Sequence, residues 1–139
     1  TLRLTDLTIE LNSIDCPTCR AEYHKALIEY FKAHQEKLCE TWVTKFPTAK
    51  KLFVLVHRKT AYYGTGLNGI RQIDYWNAIK SVLNKWSIKF VDLSEASNLC
   101  AYGNTDWQAY FQETSGTHPT LLAYQTFYVP ILEREMFML

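Results

Sequence analysis

The sequence has no long apolar run, no internal repeat and no marked excess of charge of either sign. No apolar segment approaches the roughly 18 to 20 residues that a helix needs to cross a bilayer, and no secretory signal peptide is visible. The formal net charge is +1, and the basic residues are scattered. We therefore predict neither a membrane partner nor a nucleic-acid partner, and the localisation stays open.

The sequence does contain enough apolar material for one hydrophobic core. Of its 139 residues, 47% are apolar and 14% are aromatic. This composition is typical of a folded globular domain and excludes a disordered chain. Because the length falls within the usual size of one domain, we interpret residues 1–139 as a single domain.

Segments of two kinds alternate along the chain. Apolar stretches predict three strands, at Leu4 to Leu11, Lys51 to His57 and Ile88 to Leu93. Apolar residues at helical spacing predict three helices, at Arg20 to Phe46, Ile70 to Trp86 and Thr120 to about Glu135. The first of these helices has an inner face predicted to carry Leu27, Phe31, His34, Leu38 and Trp42. A long loop from Ser94 to Thr117 precedes the last helix, which Pro130 is expected to kink.

This order of elements predicts an α/β fold, a three-layer α/β/α sandwich with a parallel, flavodoxin-like sheet. In such sheets the ligand crevice forms at the carboxyl ends of the strands. The aromatic loop Tyr102 to Phe111 and the pair Tyr62-Tyr63 are expected at that end. Their rings would either stack on a sugar ligand or cover the end of the sheet as additional core.

A single histidine stands immediately before the last helix, in the stretch Thr114-Ser115-Gly116-Thr117-His118-Pro119-Thr120. A histidine at such a junction is held by the helix while its ring stays at the surface. Imidazole titrates near neutral pH, so this position suits a general base. The alternative is an ordinary loop histidine before a proline that starts a helix.

Three segments together resemble the SGNH (GDSL-type) hydrolases. The His118-Pro119 element is similar to the Asp-x-x-His-Pro block that opens the family's last helix, and Val91-Asp92-Leu93 is similar to a family strand. The segment Asp6 to Asp15 resembles the family's third block. The resemblance covers the C-terminal two-thirds of such a domain. It implies esterase or acetylhydrolase ancestry, with O-acylated carbohydrate as substrate, as in bacterial and phage surface proteins.

The resemblance also assigns roles to residues. It makes His118 the general base, places Ser115 where the family has the aspartate that orients the base, and leaves Asn12 as the candidate oxyanion donor. No cofactor and no metal are implied. The family's Gly-Asp-Ser block is found nowhere in the chain, which opens at Thr1 and not at Met. We expect the nucleophile and the N-terminal strands to be missing, and therefore no competent esterase activity from this chain alone.

Without those strands, the strand at 4–11 would be an exposed edge, which proteins rarely leave open. We therefore expect it to pair either with a separate N-terminal polypeptide or with its own counterpart in a homodimer.

Two other functions stay open. Cys16 and Cys19 follow a predicted strand and open a helix, the placement of a thiol-disulfide oxidoreductase motif, although they could be ordinary thiols. With His24 they would make only part of a zinc site. Cys39 is expected in the core and Cys100 in the long loop, and we expect all four thiols to be mostly reduced. The other alternative is a non-catalytic module whose aromatic loop binds a glycan.

Overall fold

The computed structural model describes residues 16–64, 70–101 and 107–139. The predicted strand Leu4 to Leu11 and the candidate Asn12 lie outside these residues. The described elements, in chain order, are α1 (Pro17–Lys45), β1 (Leu52–Leu55), α2 (Gln72–Lys85), β2 (Lys89–Asp92), α3 (Leu93–Ala96), α4 (Trp107–Tyr110), α5 (Leu121–Ala123), a π-helix (Tyr124–Tyr128) and α6 (Val129–Phe137). Within the described ranges, no helix combines the length and the apolarity needed to span a membrane.

The helix α1 begins three residues before the predicted start at Arg20. Cys16 is its N-cap, with Sγ accepting a hydrogen bond from the backbone N–H of Cys19 at 3.3 Å. Pro17 occupies the first turn, where its missing N–H costs no intrahelical hydrogen bond and its fixed φ favours the helix. The apolar spacing alone placed the start too late, whereas the prediction that Cys16 and Cys19 open a helix agrees with this cap.

The predicted inner face of α1 is correct only in part. Leu27 is buried, but His34 and Leu38 are exposed. The inner stripe runs instead through Cys39, which is 2% exposed and packs in a core cluster with Trp42 and residues of α2. Both Leu38 and Cys39 fit the spacing of an inner helical face. Cys39 is the buried one because it faces α2 and the sheet. The prediction that Cys39 lies in the core is confirmed.

The strands β1 and β2 pair in parallel, with Leu52 opposite Lys89 and Leu55 opposite Asp92. Alternate residues of the two strands point to two different core clusters. Leu55, Phe53 and Phe90 pack in the cluster that includes α1 and α2. Val54, Leu52 and Val91 pack in the cluster that includes Phe111, Ala123 and Tyr128. The described chain is thus a mixed α/β fold with a small parallel sheet and helical residues in the core on each side of it.

The predicted loop Ser94 to Thr117 contains two short helices, α3 and α4. The first of them starts directly after β2, so Leu93 belongs to a helix and not to the predicted strand. The cause is Asp92, whose side chain accepts a hydrogen bond from the backbone N–H of Ser94 at 2.9 Å and caps α3. Sequence periodicity does not reveal a helix of a single turn.

The last helical segment changes its hydrogen-bond pattern just before Pro130, the residue where a kink was predicted. The helix α5 is capped by Thr120, whose hydroxyl accepts from the N–H of Ala123 at 3.3 Å. The π-helix Tyr124–Tyr128 then leads into α6, and Pro130 lies in the first turn of α6. Proline lacks an N–H and its ring collides with the carbonyl four residues earlier, so a wider turn before it relieves the clash.

Candidate functional site

His118 lies on a loop that is closed at its base. The backbone N–H of Gln112 donates to the carbonyl of His118 at 2.9 Å, and Phe111 and Pro119 form an antiparallel bridge. The N–H of Thr120 donates to the carbonyl of Tyr110 at 2.8 Å. The side chain of His118 keeps 70% of its surface exposed, while its backbone is fixed by this closure.

The loop is also joined to the residues that follow β1. Thr60 donates its backbone N–H to the carbonyl of Ser115 at 3.1 Å, and its hydroxyl to the carbonyl of Thr114 at 2.7 Å. His57 contacts the carbonyl of Gly116 at 2.6 Å. Because residues 57–60 leave the carboxyl end of β1, His118 lies at that end of the sheet, as expected for a ligand-facing loop.

Glu113 holds His118 by both its backbone and its ring. Its Oε1 accepts from the backbone N–H of His118 at 2.7 Å, and its Oε2 lies 3.0 Å from Nδ1 of the imidazole. A carboxylate can only accept, so Nδ1 carries the proton in the neutral ring and Nε2 has a lone pair. This is the tautomer that a general base needs.

The carboxylate of Glu113 is strongly stabilised in its charged form. The backbone N–H of His118 lowers the pKa of Glu113 to about 2, against a smaller opposing effect of desolvation. The value of about 2 also includes smaller lowering contributions from the His118 ring, the N–H of Thr117 (2.6 Å from Oε1) and the hydroxyl of Ser115. Glu113 is therefore ionised at every pH at which an imidazole could act as a base.

Ser115 was predicted at the place of the family's orienting aspartate, but the group on Nδ1 of His118 is Glu113. The hydroxyl of Ser115 lies 3.1 Å from Oε1 of Glu113 and 3.0 Å from the hydroxyl of Thr117, so it supports the carboxylate. Sequence reasoning missed Glu113 because it followed the family spacing. The sequence feature that could have indicated Glu113 is an acidic residue five positions before His118, with Gly116 between them.

Gly116 makes this contact between positions 113 and 118 geometrically feasible. Its φ is 64°, in the left-handed region that side-chain-bearing residues avoid. A Cβ at this position would also overlap the Cβ of Ala101. Both the backbone conformation and the space around it therefore require glycine.

A second histidine, His57, supports the loop from below. It is 1% exposed, and its Nε2 lies 2.6 Å from the carbonyl of Gly116, so Nε2 must donate. Its Nδ1 then accepts from the hydroxyl of Tyr128 at 2.6 Å. Burial lowers the pKa of His57 and raises the pKa of Tyr128 to about 12, so both stay neutral. The neutral His57 ring thus joins the loop to the π-helix through two hydrogen bonds.

A groove of about 670 Å³ lies against this loop. It is lined largely by hydroxyl and backbone groups, with one cationic side chain at its side. The lining residues are Lys59, Thr60, Ala61, Gly64, Thr114, Ser115 and Thr117. Such a surface offers donors and acceptors to a polar ligand, alongside apolar contact.

Two buried serine hydroxyls are structural groups and not nucleophiles. Ser94 is 0% exposed and donates to the carboxylate of Asp92, and Ser97 donates to the carbonyl of Leu93. Over residues 16–64, 70–101 and 107–139, the ring of His118 has Glu113 as its hydrogen-bond partner and makes no hydrogen bond to a hydroxyl.

The two residues of the pair Tyr62-Tyr63 differ in burial. Tyr62 is 2% exposed, and its hydroxyl lies 3.2 Å from that of Ser94, so it belongs to the core. Tyr63 is 54% exposed. Phe111 is buried as well, and Tyr110 packs edge-on against Phe127. Tyr63 is thus the more exposed ring of the pair, and it packs edge-on against Tyr62. Tyr102 lies outside the described residues.

The thiols of Cys16 and Cys19 lie at the start of α1, where Cys19 is exposed and Cys16 is partly exposed. Among the residues that the structure describes, no three His, Cys, Asp or Glu side chains come together to hold a metal ion. The two cysteines and His24 accordingly do not assemble into a zinc site there.

Comparison with known proteins gives partial matches. The chain matches no protein-family model. A stretch of 40 residues is 55% identical to the histidine–tRNA ligase of Caldicellulosiruptor bescii, covering 29% of this chain and 10% of that protein. A stretch of 99 residues is 31% identical to the histidine–tRNA ligase of Thermotoga sp. (strain RQ2), covering 66% of this chain and 23% of that protein. The chain thus spans about a tenth to a quarter of the length of these relatives.

One solved structure shares the fold. A crystal structure of a protein from Lactobacillus plantarum superposes with a TM-score of 0.61, covering 78% of this chain and 52% of that chain. The sequence identity is 19%, so the likeness is one of fold alone.

Proposed function

We propose that the chain is an SGNH-hydrolase-like domain of esterase ancestry, in which His118 is the general base and Glu113 the carboxylate that orients it. The contact between Nδ1 of His118 and Oε2 of Glu113, 3.0 Å long, carries this proposal. The family pattern uses an aspartate to orient the histidine, and this chain has Ser115 at that position. Here Glu113 provides the orienting carboxylate. The packing of core clusters on both sides of the parallel strands supports a three-layer α/β/α arrangement.

In this proposal the imidazole of His118 acts through its free Nε2. That nitrogen takes the proton of a hydroxyl nucleophile as the nucleophile attacks the ester carbonyl, and returns it to the leaving alkoxide. The Glu113 carboxylate stabilises the imidazolium that forms in between. The nucleophile and the oxyanion donors come from outside the described residues, from a further segment or from a separate polypeptide.

The groove beside the loop supports a polar substrate such as an O-acylated carbohydrate. Three of its lining hydroxyls already make hydrogen bonds within the chain, which fix their positions. They belong to Thr60, Ser115 and Thr117. Fixed hydroxyls bind sugar hydroxyls without a large loss of side-chain freedom. The similarity to histidine–tRNA ligases covers too little of those proteins to support a ligase activity here.

Hydrolysis of nitrophenyl acetate tests the proposal. An oriented imidazole cleaves this activated ester slowly even without a dedicated nucleophile, so we expect a rate above buffer that falls in His118→Ala. His34→Ala is the matched control, because His34 is also exposed and also has Nδ1 bonded, to the carbonyl of Tyr30 at 2.9 Å. A rate that does not depend on His118, or that falls equally in both variants, would overturn the assignment of the base.

A further inference from the structure

The first turn of α1 carries two thiols that the proposed hydrolase chemistry does not use. Cys16 is the N-cap of a 29-residue helix, and Cys19 lies three positions later in its first turn. The Sγ of Cys16 accepts from the backbone N–H of Cys19 at 3.3 Å. Neither thiol is in a disulfide.

The spacing of the two cysteines fits an internal disulfide. Helix geometry places the Cα atoms of positions i and i+3 about 5 Å apart. A disulfide needs Cα atoms roughly 4.4 to 6.8 Å apart, so this spacing is compatible with an internal disulfide. The intervening Pro17 fixes the backbone of the turn and limits the number of conformations that the dithiol must sample.

The two thiols differ in acidity in a way that separates their roles. The side-chain and backbone hydrogen bonds from Cys19 lower the pKa of Cys16, and the hydrogen bond to Cys16 raises the pKa of Cys19. No acidic side chain lies in the first turn to oppose this, and the helix N-terminus favours a negative charge at its cap. Cys16 is thus the more nucleophilic thiolate near neutral pH, and Cys19 stays a thiol.

We propose that Cys16 and Cys19 form a redox-active dithiol that exchanges with low-molecular-weight disulfides of the glutathione type. The Cys16 thiolate attacks one sulfur of the small disulfide, and a mixed disulfide forms as the first small thiolate leaves. Cys19, losing its proton, attacks Sγ of Cys16 and releases the second small thiol. The dithiol is oxidised by two electrons, and the small disulfide is reduced to two thiols.

Cys39 provides an internal contrast. It is 2% exposed, and burial raises the pKa of its thiol. It lacks both the accessibility and the acidity needed for exchange, although it lies in the same helix. The reactivity expected of Cys16 and Cys19 therefore follows from their position in the first turn of α1, since a cysteine elsewhere in the same helix does not share it.

The test equilibrates the chain with mixtures of reduced and oxidised glutathione, followed by alkylation and mass spectrometry of peptides. We expect an internal Cys16–Cys19 disulfide in the wild-type chain and in the control Cys39→Ser. Cys19→Ser should accumulate glutathione on Cys16, whereas Cys16→Ser should acquire far less on Cys19. Serine is itself a good N-cap, so Cys16→Ser keeps the start of the helix, which circular dichroism verifies.

Two results would overturn the proposal. One is equal glutathione uptake by the two single variants, and the other is a stable mixed disulfide in the wild-type chain in place of the internal one. As an independent readout, alkylation of the reduced wild-type chain by iodoacetamide should reach its half-maximal rate at a lower pH for Cys16 than for Cys19. The reverse order contradicts the assigned roles.

Discussion

Glu113 and His118 are joined by both oxygens of one carboxylate, Oε2 at 3.0 Å from the ring Nδ1 and Oε1 at 2.7 Å from the backbone nitrogen. The two contacts fix the position of the imidazole and its tautomer together. Although the ring is 70% exposed, its orientation is therefore set before any substrate arrives. Such an arrangement is needed where an imidazole must accept a proton from a defined direction.

Glu113→Gln should invert the tautomer of His118. The amide of glutamine can donate to Nδ1, which would leave the proton of the neutral ring on Nε2. We expect the hydrolysis of nitrophenyl acetate that depends on His118 to fall by about tenfold or more. Nitrogen NMR of the imidazole checks the tautomer directly, and a wild-type chain with its proton on Nε2 would contradict the proposed base. Glu133→Gln, an exposed change on α6, is the control.

The charge on Glu113 should make the chain less stable in acid. Its pKa is about 2 in the folded chain against an ordinary value of 4.5, so the folded state favours the ionised form. This contribution is complete above pH 4.5 and is lost as the pH falls toward 2. We expect the difference in thermal midpoint between the wild type and Glu113→Gln to be constant from pH 7 to pH 5 and to shrink below about pH 4.5. A difference that does not vary with pH would refute this linkage.

Gly116→Ala should destabilise the chain by at least about 2 kcal/mol, because it forces a Cβ into a left-handed backbone conformation and against Ala101. Denaturant unfolding measures the change. Gly64→Ala is the matched control, since a Cβ there meets only the carbonyl of Thr60 at 3.8 Å. Ala101→Gly combined with Gly116→Ala should recover part of the loss. Equal effects at positions 64 and 116 would show that the loop does not require this turn.

Tyr128→Phe should cost about 1–3 kcal/mol, because it leaves Nδ1 of the buried His57 without its donor. Tyr124→Phe removes a hydroxyl from the same π-helix at a ring that is 43% exposed, and we expect almost no change. Chemical denaturation of both variants gives the comparison. If the two losses are equal, the contact between Tyr128 and His57 contributes nothing specific.

The pairing of the predicted strand Leu4 to Leu11 stays a prediction, since it lies outside the described residues. In the described part of the chain, β1 pairs with β2 on one side only. We expect the isolated chain to be a dimer in light scattering, or to become soluble on addition of an N-terminal polypeptide. Leu7→Lys and Ile9→Lys should weaken the dimer, because both place charge on the apolar strand. A soluble monomer whose strand 4–11 is fully solvated would disprove this prediction.

The sequence by itself determined the parts of the fold that depend on local pattern. Continuous apolar runs predicted β1 and β2 as parallel strands, and the apolar spacing predicted a helical segment after Thr120. The approximate extents of α1 and α2 followed from their apolar spacing. These features depend on interactions between residues close in the chain or on burial alone, and the sequence records both directly.

Only the tertiary structure decided which carboxylate meets His118. The contact with Glu113 exists because Gly116 adopts a left-handed turn, because the carbonyl of that glycine is held by His57, and because the loop closes at its base. The same structure placed Leu38, which was predicted on the inner face of α1, outside the core. These outcomes depend on the relative placement of segments many residues apart, and no local period or motif in the sequence encodes that placement.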